Sequence, residues 1–211
     1  TVSQETKLKM KNEKICEPIV VQSIASPYSD TVQSRWADTF TKLRVFELVQ
    51  FSTVIFLDAD MIVLHNIDHL FDVLVSNRDE SRQEVKTLAA AMDCCDHFNS
   101  GVMVLKPSSK TFAQMIKGMR SGELQSYDKA DQGLLNSYYG KNFVRLDFRY
   151  NVDQMHVIHY PHAYDLNNDV SVLHYVHVKP WNDHQYESMT PSSSTNKLFE
   201  SEMNELKKLR E

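Results

Sequence analysis

The sequence has 211 residues, 42% of them apolar, and a formal net charge of −5 at pH 7. This length suits one or two globular domains. Because no run of 18 apolar residues occurs, no membrane span is predicted. No block of five like charges occurs either, which argues against a protein that binds the phosphate backbone of nucleic acids.

Cysteine usage indicates a reducing compartment. Cys94 and Cys95 are adjacent and poorly placed to pair, Cys16 is distant, and neither a C-x-x-C nor an Asn-x-Ser/Thr sequence occurs. We therefore expect a cytoplasmic location. Because the sequence opens with Thr1 and not Met, we expect the natural start of the protein to lie upstream, with a removed signal peptide left open.

The first 60 residues predict a helix, a short strand, a second helix and a buried strand. Residues 2–15 are polar and rich in Lys and Glu, as in an exposed helix, and residues 19–21 form a short apolar strand. An amphipathic helix over 34–50 is predicted from apolar residues at helical spacing, namely Trp36, Phe40, Leu43, Phe46 and Val49. The unbroken apolar run 53–57 is typical of a strand buried on both faces, as in a parallel sheet.

The rest of the chain continues this alternation of strands and helices. Strands are predicted at 88–92, 101–105 and 170–178, and helices at 109–120 and 131–139. This order indicates an α/β fold with ligands at the carboxyl ends of its strands.

We assign residues 1–190 to one domain and residues 191–211 to a linker and a C-terminal helix. The linker centres on the serines at 192–194, and the charged helix covers 196–210. This helix packs either on the domain or on a second copy of the chain, as in a homodimer; amphipathicity does not decide between them.

Asp58 and Asp60 stand where the buried strand 53–57 ends. Two carboxylates so close together repel each other and favour a counter-charge, which a hard divalent cation with oxygen ligands supplies. Alternation along a strand would point the two side chains to opposite faces. The chain must therefore turn at Ala59 before both can approach one ion.

Two other interpretations fit the same segment. An exposed turn with two solvated acids would give the same pattern by chance. Haloacid-dehalogenase-type phosphatases also place D-x-D after a buried strand, with the first Asp as nucleophile. They usually carry Thr or Val two residues after the second Asp, where this sequence has Ile62, and no later acid pair clearly supplies their second metal-binding role.

Further polar residues lie at predicted strand and helix ends. Asn99 and Ser100 precede a strand, and Asp131 and Gln132 open a helix whose start is electropositive. Each can bond sugar hydroxyls, although for each alone a turn or a helix cap is the favoured interpretation. Near the end of strand 170–178, a neutral His174 can bind a metal ion and Lys179 can meet a diphosphate. With nine histidines in the chain, a structural role for His174 remains the alternative.

Taken together, these segments resemble glycosyltransferase family 8, the glycogenin-like enzymes, from about residue 15 to about residue 183. The resemblance rests on seven segments in the family's order: 40–43 (FTKL), 56–60 (FLDAD), 66–68 (NID), 98–102 (FNSGV), 131–136 (DQGLLN), Tyr150-Asn151, and 174–181 from His174 to Trp181.

The resemblance implies a GT-A fold, a Rossmann-like mixed sheet flanked by helices, and a retaining transferase that uses a UDP-sugar and manganese. The family's metal ligands are matched by Asp58, Asp60 and His174. Catalytic positions facing the donor sugar are matched by Asp131 and Gln132. Other positions that contact the donor are matched by Lys42, Ala59, Asp93, Asn99, Ser100, Asp128, His177 and Lys179, together with Asp58 and Asp60.

The sequence departs from the family in three respects. The family opens with a strand, a helix and a second strand that help hold the uridine, and we expect these to be missing here. His177 stands where much of the family has Gly, which lets backbone approach phosphate closely. Glycogenin glucosylates its own tyrosine, and the matching position is Ile158, with Tyr160 nearby. We therefore expect no self-glucosylation.

The sequence thus predicts a transferase that moves a hexose from UDP-glucose or UDP-galactose to a hydroxyl of a separate acceptor, such as a glycan or glycoprotein. The alternative from another class is a catalytically silent binding or scaffold protein on the same fold. The intact set of Asp58, Asp60, Asp131 and His174 argues against this scaffold interpretation, because like charges around a metal site have little use in a scaffold.

Overall fold

The computed structural model describes residues 2–28, 38–76, 85–93, 96–160, 163–166, 168–177 and 179. The predicted linker and C-terminal helix of residues 191–211 lie outside these residues, as do Cys94, Cys95 and the first part of the predicted helix 34–50. Within the described residues, no helix is long and apolar enough to cross a membrane.

Seven strands and five α-helices form the described fold. The strands are β1 (Val54–Leu57), β2 (Met61–Val63), β3 (Leu88–Met92), β4 (Phe98–Leu105), β5 (Val144–Leu146), β6 (Val152–Asp153) and β7 (Val172–His174). The helices are α1 (Gln4–Asn12), α2 (Val73–Ser76), α3 (Ser109–Ser121), α4 (Asp131–Tyr139) and α5 (Gln154–His159). Three 3-10 helices occupy Thr39–Glu47, Asp68–Asp72 and Phe148–Tyr150.

The strands form two mixed sheets. The first has the order β1-β4-β3-β5 and the second the order β2-β7-β6. In the first sheet, β4 is the most buried strand and pairs antiparallel with β1 and β3, whereas β3 pairs parallel with β5. The second sheet joins an antiparallel β2–β7 pair to a parallel β6–β7 pair. The predicted mixed α/β architecture is therefore confirmed.

The prediction that strand 53–57 is buried in a parallel sheet is wrong. β1 is antiparallel to β4, and all four of its residues are only half-buried. An apolar run shows that a strand packs against something, but it does not encode the direction of the partner. Among the described strands, β1 lies at the edge of its sheet, so one of its sides has no described neighbour.

The acidic motif connects the two sheets. Asp58 extends the β1–β4 ladder, since its backbone N–H donates to the Gly101 carbonyl at 2.9 Å. The chain then turns at Ala59 and Asp60, as expected, and enters β2 of the second sheet. Tyr175 N–H closes the other side by donating to the Asp60 carbonyl at 2.9 Å. The carboxylates therefore lie where the two sheets meet.

The predicted helix 34–50 is a 3-10 helix in its described part. Thr39–Glu47 buries Phe40, Leu43 and Phe46 completely. These residues are spaced by three, which matches the three residues per turn of a 3-10 helix better than the 3.6 of an α-helix. The helix packs against α3 and α4 and carries Lys42 into the interior.

Two predicted strands differ from the structure. Residues 19–21 are not a strand, and Ile19, Val20 and Val21 are 55%, 74% and 44% exposed. A strand requires a hydrogen-bonded partner, and no other described residues pair with this segment. Within the described part of the predicted strand 170–178, only β7 is a strand, since Val170 N–H donates to the Asp165 carbonyl and Ser171 N–H to the Arg149 carbonyl. The predicted helices 2–15, 109–120 and 131–139 agree with α1, α3 and α4 within three residues at each end.

A buried side chain ties α4 to β4. Asn136 is 7% exposed. Its Nδ2 donates to the Phe98 carbonyl at 2.9 Å, and its Oδ1 accepts the Phe98 N–H at the same distance. The pairing of β3 with β4 is irregular beside Phe98. The carboxamide therefore replaces a strand partner and fixes the helix that begins with Asp131 and Gln132 against the sheet.

Replacing Asn136→Leu should lower the free energy of unfolding by about 2–3 kcal/mol, because it leaves two buried backbone groups unpaired. Urea denaturation followed by circular dichroism measures this change. Asn168→Leu, at an exposed position, is the control and should change it by less than about 0.5 kcal/mol. Equal small effects of both substitutions would contradict the role of Asn136.

Candidate active site

Asp58, Asp60 and His174 converge at the junction of the two sheets. One ligand atom from each lies within 4.8 Å of the others, and Asp60 Oδ1 is 3.4 Å from His174 Nε2. His174 pairs with Met61 across β2 and β7, which brings it beside the turn although 114 positions separate it from Asp60 in the chain. Two carboxylates and an imidazole are donors that suit a divalent transition-metal ion.

The two aspartates of this cluster differ in their electrostatics. Burial raises the pKa of Asp58 above its ordinary value, and the ammonium of Lys42 only partly opposes this. Burial would also raise the pKa of Asp60, but hydrogen bonds and charge from His174 and Lys179 hold that pKa well below its usual range. A neighbouring cation would stabilise the charged form of both.

Glycine at position 101 allows this convergence. A Cβ there would lie 2.6 Å from His174 Cε1, 2.5 Å from Met61 Cε and 2.9 Å from Asn99 Oδ1. These distances are shorter than side chains tolerate without displacement. The Gly of the segment 98–102 is therefore required by the close approach of β4 to the imidazole.

Lys42 is the counter-charge of a second acidic pair. Its ammonium lies 3.0 Å from Asp58 Oδ1 and 2.7 Å from Asp131 Oδ2, and its side chain is only 11% exposed. It also contacts the Ser100 carbonyl at 3.3 Å and Ser100 Oγ at 3.2 Å. Burial alone would lower the pKa of Lys42, but the two carboxylates outweigh it and raise that pKa.

Asp131 and Gln132 connect this charge cluster to the edge of the site. Ser100 Oγ donates to Asp131 Oδ2 at 2.8 Å, and Ser100 N–H donates to Gln132 Oε1 at 3.1 Å. Gln132 Nε2 in turn donates to Asp93 Oδ2 at 2.9 Å and to the Tyr127 hydroxyl at 3.2 Å. Asp131 is 5% exposed, whereas Asp93 is exposed.

Asp128 holds the start of α4. Its Oδ1 accepts the N–H groups of Ala130 at 2.9 Å and Gly133 at 3.0 Å. The residue at the N-cap position itself, Ala130, has no capping side chain, so Asp128 replaces it. This oxygen fixes the orientation of Asp131 and Gln132, while contact of Asp128 with a donor sugar remains a prediction.

The structure places the remaining predicted residues in different surroundings. Lys179 forms a salt bridge with Asp60 and donates to the Tyr175 carbonyl at 2.6 Å. His177 is directed to Asp153, with its Nε2 3.3 Å from Asp153 Oδ2, and its side chain is 60% exposed. Asn99 Oδ1 accepts hydrogen bonds from Gly101 N and from Asn151 Nδ2, each at 2.8 Å.

Sequence reasoning gave no role to three neighbours of the site. Asn151 is 7% exposed and lies 2.9 Å from His174 Nδ1 through its Oδ1. Tyr127 contacts Gln132 and stacks on His97 with ring centroids 4.4 Å apart. Asn151 belongs to one of the matching segments, which was a usable signal, whereas nothing in the sequence links His97 with Tyr127.

The chain belongs to glycosyl transferase family 8, whose family profile matches residues 2–185. It is 37% identical over 163 residues to glycogenin-1 of Homo sapiens, an alignment that covers 73% of this chain and 42% of that protein. It is 31% identical over 185 residues to the putative UDP-glucuronate:xylan alpha-glucuronosyltransferase 5 of Arabidopsis thaliana, covering 86% and 30%. The chain thus spans less than half the length of these relatives.

Solved glycosyltransferases share the fold. The galactosyltransferase LgtC, in complex with donor and acceptor sugar analogs, superimposes with a TM-score of 0.53 at 18% identity, covering 74% of this chain and 66% of that one. The glycosyltransferase GlyE of Streptococcus pneumoniae TIGR4, in its apo form, gives 0.53 at 22% identity, covering 85% and 48%. The fold is therefore of the GT-A type, and the phosphatase alternative is not supported.

Replacing Lys42→Met should lower the free energy of unfolding by about 3 kcal/mol at pH 7.5, because it leaves Asp58 and Asp131 without their counter-charge. Lys141→Met is the control. Its ion pair with Asp96 is 3.5 Å long between side chains 82% and 71% exposed, so its loss should change little.

The Lys42→Met deficit should shrink as the pH falls towards 5. Without the ammonium, the pKa of Asp58, already raised by burial, rises further in the folded variant. The folded variant then binds more protons than its unfolded chain, so its stability increases on acidification. Denaturation at both pH values compares the variant with the unsubstituted protein, and a deficit that widens at pH 5 would refute this account.

Proposed function

We propose that this protein transfers a hexose from a UDP-sugar to a hydroxyl group of a separate acceptor, with a divalent cation such as manganese. The observation that carries the proposal is the convergence of Asp58, Asp60 and His174 within 4.8 Å in a member of glycosyl transferase family 8. The glycogenins and the xylan glucuronosyltransferase named above support the class of reaction.

The donor atoms present fit such a cation. Asp58 and Asp60 offer carboxylate oxygens and His174 offers Nε2, which leaves room in an octahedral shell for phosphate oxygens. Asp58, Asp60 and His174 would hold the ion. When bound, it would offset the negative charge that develops on the leaving diphosphate.

The lysines of the site have different proposed roles. The Lys179 side chain is 32% exposed. Its ammonium can therefore exchange the Asp60 carboxylate for a phosphate oxygen of the donor. Lys42 is enclosed by Asp58, Asp131 and Ser100. Its main effect on the donor is therefore electrostatic and positional, through the carboxylates that it holds.

The network of Ser100, Asp131 and Gln132 orients the donor sugar in this proposal. Hydrogen bonds fix both ends of the Gln132 carboxamide, since Ser100 N–H donates to Oε1 and Nε2 donates to Asp93 Oδ2. In the reaction, the bond between the anomeric carbon and the phosphate oxygen breaks. The acceptor oxygen bonds to that carbon on the face that UDP leaves, and the acceptor proton passes to the departing phosphate. This retaining outcome is what the family resemblance implies.

UDP-glucose and UDP-galactose are the proposed donors, and a glycan or glycoprotein the proposed acceptor. A cytoplasmic location and a homodimer complete the proposal. The donor is tested by measuring UDP release from UDP-glucose, UDP-galactose, UDP-glucuronic acid and UDP-N-acetylglucosamine, with manganese and with EDTA. No acceptor is needed, since water can take the sugar slowly.

Replacing Asp60→Asn should lower manganese-dependent UDP release by about 100-fold or more, because the ion loses a charged ligand and the leaving group loses stabilisation. Asp147→Asn is the control; its side chain is 69% exposed and bonds Arg149 outside the cluster, so release should stay within about twofold. If the unsubstituted protein releases no UDP from any donor and does not bind UDP, the enzyme proposal is wrong and a catalytically silent protein on this fold replaces it.

The protein should not glucosylate itself on α5. Ile158, which matches the acceptor tyrosine of glycogenin, is 5% exposed and carries no hydroxyl. Tyr160 is 62% exposed just beyond the helix. Intact-mass and peptide mass spectrometry after incubation with each UDP-sugar and manganese should show no added hexose. Hexose on Tyr160, lost in a Tyr160→Phe variant, would contradict the expectation of a separate acceptor.

A further inference from the structure

We propose that Asn151 is a positioning residue that holds His174 in the tautomer with the proton on Nδ1. This tautomer leaves the lone pair of Nε2 directed towards the cation proposed between Asp58, Asp60 and His174. The inference rests on the proposed metal site for its consequence, but the tautomer itself is a property of the metal-free protein.

The argument starts from a backbone group whose role is fixed. Gly101 N–H can only donate, and it donates to Asn99 Oδ1 at 2.8 Å. The end of the Asn99 carboxamide that accepts this bond is therefore its oxygen and not its nitrogen. The second atom on this oxygen, 2.8 Å away, must be a donor, so it is Nδ2 of Asn151.

The orientation of Asn151 then determines that of His174. With Nδ2 on Asn99, Asn151 presents Oδ1 to His174 Nδ1 at 2.9 Å. An oxygen there can only accept, so Nδ1 must carry a proton. Nε2 is then the ring nitrogen that faces Asp60 Oδ1, at 3.4 Å, and the proposed cation. One hydrogen-bonded chain therefore runs through Gly101, Asn99, Asn151 and His174, and the donor of each bond in it is fixed.

Because the side chains are buried, water cannot easily replace the hydrogen bonds between them. Asn151 is 7% exposed and His174 is 6% exposed, and a buried polar atom without a partner costs about 1–3 kcal/mol. The backbone holds Asn151 as well, since its N–H donates to the Phe148 carbonyl at 3.0 Å. A histidine free in water favours the opposite tautomer, with the proton on Nε2. Asn151 therefore reverses the intrinsic preference of the ring.

The partner of the non-ligating nitrogen sets both the orientation and the basicity of a metal-binding histidine. Without Asn151, His174 would have to move its proton from Nε2 to Nδ1 before it could bind an ion. Replacement of such a partner typically lowers metal affinity by about 10–100-fold. The same chain assigns Asn99 a supporting role through Asn151, in addition to its proposed contact with the donor sugar.

Nitrogen-15 NMR of histidine-labelled, EDTA-treated protein at pH 8.5 measures the tautomer directly. His174→Gln identifies the His174 signals among the nine histidines by their loss. We expect Nδ1 to carry a proton in the unsubstituted protein, as its hydrogen bond to Asn151 requires. An unprotonated Nδ1 there would overturn the inference, whatever the activity of the enzyme.

Three variants separate positioning from packing. Asn151→Leu removes the acceptor, so Nδ1 should lose its proton and manganese affinity, measured by electron paramagnetic resonance of free Mn²⁺, should fall about 10–100-fold. Asn151→Asp keeps an acceptor for Nδ1 but removes the donor to Asn99 Oδ1, so it should retain the Nδ1 proton and bind manganese more tightly than Asn151→Leu. Met115→Ala, at a fully buried apolar position of α3 outside the polar network of the site, should lower the melting temperature but leave both readouts unchanged.

The outcomes distinguish this inference from the proposed function. An unchanged tautomer and affinity in Asn151→Leu would refute the inference and leave the metal site intact. The expected tautomer in a protein that binds no manganese would support the positioning of His174 and count against the proposed metal-dependent transfer. If Asn151→Leu does not fold, the tautomer of the unsubstituted protein and of Asn151→Asp still tests the inference.

Discussion

The arrangement of this site depends on holding like charges together in a partly buried place, where solvent screens them only weakly. Asp58 and Asp131 share one ammonium, Lys42, whose side chain is 11% exposed, while Asp60 faces His174 and Lys179. Three carboxylates and two lysines therefore meet where two sheets join. The helix α4 that begins with Asp131 packs on β4, and the 3-10 helix that carries Lys42 packs against α3 and α4.

Fixed backbone donors order the polar side chains of the site. Gly101 N–H sets the orientation of Asn99, and Ser100 N–H sets that of Gln132. Both residues belong to β4, whose ladder with β1 ends at Asp58. A single buried strand thus positions His174, through Asn99 and Asn151, and the Gln132 carboxamide.

The relation to glycogenins concerns the chemistry of the donor more than that of the acceptor. The residues that match the family surround Asp58, Asp60 and Asp131, where the proposed donor lies. The position of the self-glucosylated tyrosine is instead a buried Ile158 in α5, packed with Val152 and Leu173 in a small core of its own. The likeness to glycogenin therefore does not extend to that tyrosine.

The sequence by itself determined the family, the mixed α/β class, the turn after Leu57 and the residues of the charge cluster, because short motifs at strand and helix ends encode them locally. Only the tertiary structure decided strand direction, the 3-10 form of Thr39–Glu47 and the placement of His177 on Asp153. The tertiary structure alone revealed the hydrogen-bonded chain that runs from Gly101 to His174. The physical reason is that partner choice across a sheet, and the direction of each hydrogen bond, depend on contacts between residues distant in the chain, from 23 positions for Asn151 and His174 to 119 for Asp60 and Lys179, which no local pattern records.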